Sequence, residues 1–259
     1  MKTIQTIKEE LKAASGPADW ITELEHDQRA GVQQALKTWR RSYEKRRVLE
    51  ENHRSKQEFD LSFAPFPEAL GAGTDEAGRG PLAGPVVTAA VILPQEADGL
   101  IGLDDSKKIT RKQREHLAEE IRQTAVAWSV HIQSAERIDE VNIYAATRES
   151  MEQSIQSLAV RPDYVMADAM TLSADCPSAS IIKGDAQSLA IAAASILAKT
   201  ERDRLMDELH KEYPMYGFGK HAGYGTPEHL EALRLHGPCP YHRRTFEPVK
   251  SMIAGKGTD

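Results

Sequence analysis

The nine residues 85–93 constrain the fold of this chain more than any other segment. They read Pro-Val-Val-Thr-Ala-Ala-Val-Ile-Leu, a β-rich sequence that is apolar apart from one threonine. A strand with one face in water alternates polar and apolar side chains, whereas a strand covered on both faces is apolar throughout. The segment is also too short to cross a bilayer. It therefore predicts a strand in the middle of a covered sheet.

Strand and helix patterns alternate along the chain around this segment. Further strands are predicted at residues 126–132, 164–167 and 178–182. Helices are predicted at residues 110–123, 143–158, 186–210 and 227–235. This interleaving predicts an α/β domain in which helices pack on a central sheet.

The first 70 residues have a different character. Residues 6–58 contain few β-branched runs and carry apolar side chains at helical spacing, which predicts a small helical module. The sequence Phe-Ala-Pro-Phe-Pro at residues 63–67 is rich in helix breakers and ends this pattern. We therefore predict an N-terminal helical module over residues 1–70 and a second domain over residues 71–259.

A basic segment lies within the helical module. Six cations fall between residues 37 and 47, beside Trp39 and Tyr43. One interpretation is a surface that follows nucleic-acid phosphates while the rings stack, which would make the module an accessory for substrate binding. The other is a solvated helix face whose aromatic rings pack against a neighbouring helix. The sequence leaves both interpretations open.

The net charge does not decide whether the partner is a nucleic acid. The formal charge is -6, whereas phosphate binding requires Lys and Arg. The acidic excess falls in residues 71–175, which carry 10 basic and 17 acidic side chains, and the flanking segments are close to neutral. Divalent cations bound to some of these carboxylates would reduce the excess.

Nothing in the sequence predicts a membrane or secretory protein. The first six residues, Met-Lys-Thr-Ile-Gln-Thr, lead into charged residues rather than an apolar run, so a cytoplasmic location is expected. Cys176 and Cys239 are then expected to be reduced thiols. A monomer is also expected.

Two adjacent acids stand in the glycine-rich segment 71–85. Asp75 and Glu76 occur where a predicted strand meets a turn, and Glu76 occupies a position at which a dinucleotide fingerprint requires glycine. No segment has the spacing of a phosphate-binding P-loop. Carboxylates are the ligands that Mg²⁺ and Mn²⁺ prefer. Both acids would reach one site if the chain turned at Glu76, which the glycines permit.

Two further acids stand at the ends of predicted elements. Asp168 ends the strand that begins at Tyr164, and Asp185 precedes the helix over 186–210. An acid at a helix start can simply cap that helix, which is the alternative explanation for Asp185. Acids at the ends of several elements tend to lie along one edge of an α/β sheet. The combined pattern favours a metal site.

Several motifs follow one another from about residue 70 to the C-terminus. They are Asp75-Glu76-Ala77-Gly78-Arg79-Gly80-Pro81, Asp105-Ser106-Lys107-Lys108, Asn142-Ile143, Lys183-Gly184-Asp185, Ala-Ala-Ala-Ser-Ile-Leu-Ala-Lys at 192–199, Tyr-Gly-Phe at 216–218 and Gly-Tyr-Gly-Thr at 223–226. In these motifs the chain resembles bacterial ribonuclease HII. The resemblance implies a ribonuclease H-like mixed β-sheet flanked by helices.

The resemblance also implies an active site. Asp75, Glu76, Asp168 and Asp185 would be the catalytic residues and would hold two divalent ions, Mn²⁺ or Mg²⁺. Asp163 and Asp175 are alternatives to Asp168, although neither ends a predicted strand.

The implied activity is that of an endoribonuclease. It would cut the RNA strand of RNA/DNA hybrids, and it would cut 5′ of ribonucleotides embedded in duplex DNA. One ion would activate water and the other would stabilise the leaving oxygen, giving 5′-phosphate and 3′-hydroxyl ends. The backbone of Gly78, Arg79 and Gly80 would contact the 2′-hydroxyl, and Tyr224 would stack beneath the next sugar. Phosphate contacts are expected from Lys107, Lys108, Lys183 and Lys220.

Two other functions fit the residues. One is a non-catalytic nucleic-acid-binding protein that uses residues 37–47, and the other is a DNA-only nuclease with the same ions. Residues 236–242 contain two His and one Cys but lack a standard zinc spacing. Arg243 and Arg244 are expected to contact nucleic acid or an acidic neighbour, and the Ala-rich helix over 190–198 is expected only to pack on the sheet.

Overall fold

The computed structural model describes residues 2–103 and 109–254. The chain divides into two compact units, one ending at Arg54 and one beginning at Ser55. No helix within the described ranges is long and apolar enough to cross a membrane.

The first unit is helical, which confirms the prediction for this region. It contains helices α1 (Ile4–Ala13) and α2 (Asp19–Glu23), a 3₁₀ turn (Leu24–His26) and the larger part of α3 (Ala30–Leu61). The side chain of Thr3 caps α1 by accepting a hydrogen bond from the Thr6 N–H. A small core holds the unit together and consists of Ile7, Leu11, Ile21, Val32 and Leu36.

The second unit is built on a five-stranded mixed sheet. Its strands are β1 (Gly71–Ala77), β2 (Val86–Ile92), β3 (Ala127–Gln133), β4 (Tyr164–Asp168) and β5 (Ser178–Ile181), in the order β3-β2-β1-β4-β5. The first three strands are mutually antiparallel, whereas β4 runs parallel to β1 and β5 parallel to β4. Every residue of β2 is buried. The apolar segment therefore forms a covered strand, as its sequence predicts.

Helices flank this sheet. They are α4 (Arg111–Thr124), α5 (Ala135–Val141), α6 (Ile143–Gln156), α7 (Gly184–Gln187), α8 (Leu189–Glu212), α9 (Phe218–His221), α10 (Pro227–His236) and α11 (Val249–Ala254), with 3₁₀ turns at Asp98–Leu100 and Pro214–Tyr216. The single helix predicted over 186–210 is wrong, because Ser188 is extended and separates α7 from α8. Its hydroxyl accepts from the Ile191 N–H and caps the second helix.

Helix α8 lies directly on β1 at Gly73. A Cβ atom at Gly73 would stand 2.2 Å from the Ala190 carbonyl carbon and 2.3 Å from the Ile191 nitrogen. Such distances are shorter than any van der Waals contact, so only glycine fits there. The buried run Ala192–Ala194 continues this close packing. The prediction that the Ala-rich helix packs closely on the sheet is confirmed.

The end of α3 belongs to the second unit. The Asp60 Oδ2 atom accepts hydrogen bonds from the Leu189 and Ala190 N–H groups, both at 3.0 Å, and so caps α8. The Lys56 Nζ atom donates to the carbonyl oxygens of Leu103, at 3.3 Å, and Asp185, at 3.1 Å. The domain boundary predicted near residue 70 follows the helix breakers. These contacts instead group the chain from Ser55 onward with the sheet.

We predict that a chain beginning at Ser55 is more stable than one beginning at Glu68, because only the first retains Asp60 and Lys56. A hydrogen bond to a charged group contributes about 1.5–3 kcal/mol, so the free energies of unfolding in urea should differ by about 3 kcal/mol or more. Gln57→Ala in the longer chain removes only an exposed bond to the Gln95 carbonyl and should change stability little. Equal stability of the two truncated chains would contradict the role of Asp60.

Candidate active site

Parallel pairing brings Asp75 and Asp168 to the same end of the sheet. Thr74 of β1 is paired with Ala167 of β4, and the two acids are the next residues on their strands. Asp75 is only 4% exposed, whereas Asp168 is partly buried. Asp168 therefore lies at the end of its strand, as the sequence predicts.

The carboxyl group of Asp75 lies in an environment that disfavours its charge. Burial raises its pKa well above the ordinary value of 3.8, and the negative charges of Glu76 and Asp168 raise it further. Hydrogen bonds from the Ser195 hydroxyl and from the Glu76 N–H, the latter at 2.7 Å, act in the opposite direction. Three acids that repel one another in a buried place are stabilised by a bound cation.

Asp185 stands beside Asp168 through the turn that precedes α7. The Gly184 N–H donates to the Asp168 Oδ1 atom at 2.7 Å. A Cβ atom at Gly184 would lie 3.3 Å from the same oxygen. The N-cap of α7 is Lys183 and that of α8 is Ser188, so Asp185 occupies neither cap position. Asp185 instead lies in the first turn of α7, and its role as a metal ligand stays a prediction.

The two alternatives to Asp168 lie elsewhere. Asp163 precedes β4, and its Oδ2 atom accepts from the Leu70 N–H at 2.8 Å. The Asp175 side chain is 94% exposed. Neither side chain stands at the strand end where Asp75 lies.

The turn at Glu76 that would bring both acids to one site is not observed. β1 continues through Ala77, with Glu76 paired to Thr88 of β2. The chain leaves the extended conformation only at Gly78, where φ is +98°. The Glu76 Oε1 atom lies 3.4 Å from the Arg79 Nη1 atom, which links the acid to the following loop.

Two distant motifs meet beside these acids. A Cβ atom at Gly80 would stand 3.5 Å from the Tyr224 ring, and the Leu82 N–H donates to the Gly223 carbonyl at 2.9 Å. The Tyr224 side chain is 49% exposed and so offers its ring to a ligand. The loop over 78–80 and Tyr224, both proposed from the sequence to contact sugars, therefore form one surface.

The structure describes two of the four lysines proposed to contact phosphates. Lys183 is exposed beside Asp185 and adopts the left-handed conformation with φ of +56°. Lys220 is exposed and pairs with Glu228 at 2.8 Å. Lys107 and Lys108 lie outside the described residues. Their phosphate contacts stay predictions.

Arg243 corrects an expectation about the C-terminal basic pair. Its side chain is fully buried and donates to main-chain carbonyl groups, so it is not exposed to nucleic acid. The Arg244 N–H, rather than its side chain, contacts the acidic neighbour Asp139 at 2.8 Å. Arg243 can be buried because the carbonyl groups around it accept hydrogen bonds from its guanidinium, which has five donors.

The donor chemistry of the acids fits hard cations. In residues 2–103 and 109–254, no group of three His, Cys, Asp or Glu side chains is already arranged to hold a metal ion. The charges of Glu76 and Asp168 nevertheless act on Asp75 at short range, and all three supply only carboxylate oxygens. Oxygen donors of this kind bind Mg²⁺ and Mn²⁺.

Sequence reasoning assigned no role to Ser195 or Arg202, and it expected Arg243 to contact nucleic acid or an acidic neighbour rather than to be buried. Ser195 is the one polar residue in the apolar run 189–198, and that interruption was the available signal. The two arginines, 1% and 0% exposed, had no signal because nothing in a sequence marks an arginine as buried.

Comparison with known proteins decides the family. The chain matches the family model for ribonuclease HII over residues 72–249 and that for the ribonuclease HII N-terminal domain over residues 3–64. The chain belongs to the ribonuclease HII family. The ribonuclease HII of Enterococcus faecalis is 48% identical over 257 residues, covering 97% of this chain and 99% of that relative. The resemblance found in the motifs is confirmed.

Solved structures support the same fold. The ribonuclease H2 of Pyrococcus horikoshii OT3 matches with a TM-score of 0.65 and 28% identity, covering 73% of this chain and 100% of that chain. Bst-RNase HIII in complex with Mn²⁺ matches with a TM-score of 0.54 and 17% identity, over 72% of this chain and 70% of that one. This ribonuclease HII family member is a nuclease and a hydrolase, and dependence on divalent metal is general in its family.

We predict that Asp75→Asn stabilises the metal-free protein at neutral pH. Because the pKa of Asp75 is higher in the folded chain, the folded state loses stability as the pH rises above the unfolded value near 3.8. Asparagine removes this loss, and each 1 kcal/mol gained should raise Tm by about 2–4 °C. The difference should vanish below about pH 4, and Mn²⁺ should raise the Tm of the wild type only. A lower Tm for the variant in EDTA at pH 7 would refute this prediction.

We also predict that Asp168→Asn greatly lowers turnover while Asp163→Asn does not. The first substitution removes a charge next to Asp75, whereas the second keeps the acceptor for the Leu70 N–H at the other end of β4. Turnover at saturating Mn²⁺, with folding checked by circular dichroism, separates the two. Equal losses in both variants would remove Asp168 from the site.

Proposed function

We propose that this ribonuclease HII family member hydrolyses the RNA strand of RNA/DNA hybrids and cuts 5′ of ribonucleotides embedded in duplex DNA. The products would carry 5′-phosphate and 3′-hydroxyl ends. The observation that carries this proposal is the contact between the loop over 78–80 and Tyr224, next to the buried acids of β1 and β4. A surface that can contact a sugar thus adjoins a site that can hold cations.

The acids would hold two divalent ions, Mn²⁺ or Mg²⁺, through Asp75, Glu76, Asp168 and Asp185. Bound ions of this kind supply activation of water and stabilisation of negative charge at phosphorus. The chain itself fixes Asp75 through the Ser195 hydroxyl and orients Asp168 through the Gly184 N–H. These bonds reduce the freedom of the ligands before substrate binds.

Selection of the substrate would depend on the 2′-hydroxyl. That group donates and accepts hydrogen bonds and is the local difference between RNA and DNA. Gly80 carries no side chain between its peptide group and a ligand, so a sugar can approach the backbone there. The exposed Tyr224 ring offers a flat surface for the next sugar.

The N-terminal unit is proposed as an accessory that contacts substrate phosphates. Trp39 packs on the core of that unit and stacks on Tyr43 with 5.3 Å between ring centroids, so the rings serve packing. A groove of about 580 Å³ beside them is lined by three cations, Lys8, Lys12 and Arg46. Its positive lining supports binding of a polyanion, and this part of the proposal is independent of the catalytic assignment.

The experiment that tests the function compares three duplexes of one sequence. They contain no ribonucleotide, one ribonucleotide, or four ribonucleotides followed by DNA. We expect metal-dependent cutting of the last two at the 5′ side of the ribonucleotide that precedes DNA, and none of the first. Equal cutting of the all-deoxy duplex would support a DNA-only nuclease, and binding without cutting would support a non-catalytic protein.

We predict that Tyr224→Ala lowers kcat/KM on the single-ribonucleotide duplex and broadens the positions of cutting. The proposed contact uses the ring face, so Tyr224→Phe should retain most of the activity and the position. Stacking of a nucleotide on an aromatic ring is worth about 1–3 kcal/mol, which corresponds to about 5–150-fold in kcat/KM. Loss of activity in Tyr224→Phe comparable to that in Tyr224→Ala would show that the hydroxyl, not the ring, is used.

A further inference from the structure

Two adjacent buried residues, His242 and Arg243, are linked to the two parts of the surface proposed to contact sugars, Arg243 directly and His242 through His229. Their side chains are 1% and 0% exposed. Neither lies in the acidic site, and neither can contact a substrate directly. Each reaches one of the two motifs that meet at Gly80 and Tyr224.

Arg243 holds the loop over 78–84 by its carbonyl oxygens. Its Nη1 atom donates to the Arg79 carbonyl at 2.8 Å, and its Nη2 atom donates to the Gly78 carbonyl at 2.5 Å. Its Nε and Nη2 atoms also donate to the Gly84 carbonyl at 3.1 and 3.0 Å. The planar guanidinium thus clamps both ends of one loop.

This clamp determines where the loop N–H groups point. In a trans peptide the C=O and the following N–H point in opposite directions. With the Gly78 and Arg79 carbonyls turned toward Arg243, the N–H groups of Arg79 and Gly80 point away from it. Those are the backbone donors of the motif proposed to contact the 2′-hydroxyl.

A second buried cation supports the same loop. The Arg202 Nε atom donates to the Pro85 carbonyl at 3.0 Å, and its Nη2 atom donates to the Ala83 carbonyl at 3.3 Å. A Cβ atom at Gly78 would lie 2.0 Å from Arg202 Nε. Burial, and then the charge of Arg202, lowers the pKa of Arg243 to about 9. Arg243 therefore stays charged at neutral pH and keeps all its donors.

His242 reaches Tyr224 through His229. The Cys239 N–H donates to His242 Nδ1 at 3.0 Å, so His242 carries its proton on Nε2. That nitrogen lies 3.0 Å from His229 Nε2, which must then accept. His229 is left with its proton on Nδ1, which donates to the Tyr224 carbonyl at 2.8 Å.

We propose that His242 and Arg243 are positioning residues for ribose selection, since together they fix the backbone of the loop over 78–80 relative to that of Tyr224. The inference rests on the proposed function, because it assumes that these two motifs contact neighbouring sugars. Arg243 orients the first motif and His242, through His229, orients the second. Because His242 and Arg243 are adjacent in the chain, one dipeptide sets the spacing between the two motifs.

The test uses the full-length chain and measures a ratio rather than a rate. The ratio is kcat/KM for cutting 5′ of a ribonucleotide that is followed by DNA, divided by kcat/KM for cutting at the same phosphate when the following position carries a second ribonucleotide. Misplacing a reacting group by about 1 Å can lower the rate about 100-fold. We expect Arg243→Met and His242→Leu to lower the ratio about tenfold and to spread the cuts over neighbouring phosphates.

Conservative variants and controls separate positioning from simple destabilisation. Arg243→Lys keeps the charge but cannot bond Gly78, Arg79 and Gly84 as a planar fork, so its ratio should be intermediate. His229→Asn keeps a donor for the Tyr224 carbonyl and should retain more of the ratio than His229→Leu. Arg114→Met removes another buried arginine, one that bonds neither the loop over 78–84 nor His229. This control should leave the ratio unchanged even where Tm falls.

The results distinguish the positioning role of His242 and Arg243 from the proposed function on which that role rests. If Arg243→Met does not fold, the ratios of Arg243→Lys and His242→Gln, measured below their Tm, take its place. Folded variants with the ratio and cutting positions of the wild type would overturn the positioning role alone. A wild type that cuts this phosphate equally well in the two duplexes would overturn the proposed cutting at the ribonucleotide that precedes DNA, on which the inference rests.

Discussion

The contact between α8 and β1 at Gly73 determines the surroundings of the acidic site. With no side chain at Gly73, the helix backbone lies against the strand and presents Ser195 to Asp75. The position of the helix depends in turn on its first turn, which Ser188 and Asp60 cap. A bulkier residue at Gly73 would push the helix away and break the Ser195 hydrogen bond. The most buried acid of the site is thus oriented by a helix that carries none of the proposed metal ligands.

The acids illustrate what a sequence can and cannot predict. The strand ending at Asp168 is predictable because apolar runs mark buried strands, and the parallel pairing that places it near Asp75 follows from the fold. The break at Ser188 is not predictable, because the residues on both sides favour helix and the helix is interrupted only where Ser188 caps α8. The path of the chain through Glu76 is not predictable either, because flexible glycines permit a turn without requiring one. Local propensity therefore predicts elements better than it predicts their ends.

Long-range hydrogen bonds are the part that local patterns do not reveal. Asp60 and Lys56 lie on a helix whose sequence pattern continues that of the N-terminal unit. Their hydrogen-bond partners nevertheless lie more than a hundred residues further along the chain, at Leu189 for Asp60 and at Asp185 for Lys56. The proline-rich stretch at 63–67 marks where α3 ends. The division between the two units depends on contacts instead, and it lies earlier, between Arg54 and Ser55. A boundary based on breakers alone thus leaves out the cap of α8.

The burial of Arg202 and Arg243 changes how the protein meets a polyanion. Both count toward the formal charge, but at 1% and 0% exposure neither can replace a counterion on a phosphate. The affinity of a protein for DNA falls with added salt in proportion to the phosphates that it neutralises. The surface of the catalytic unit is therefore less basic than its residue count suggests. Neither arginine therefore contributes to the salt dependence of its binding to nucleic acid.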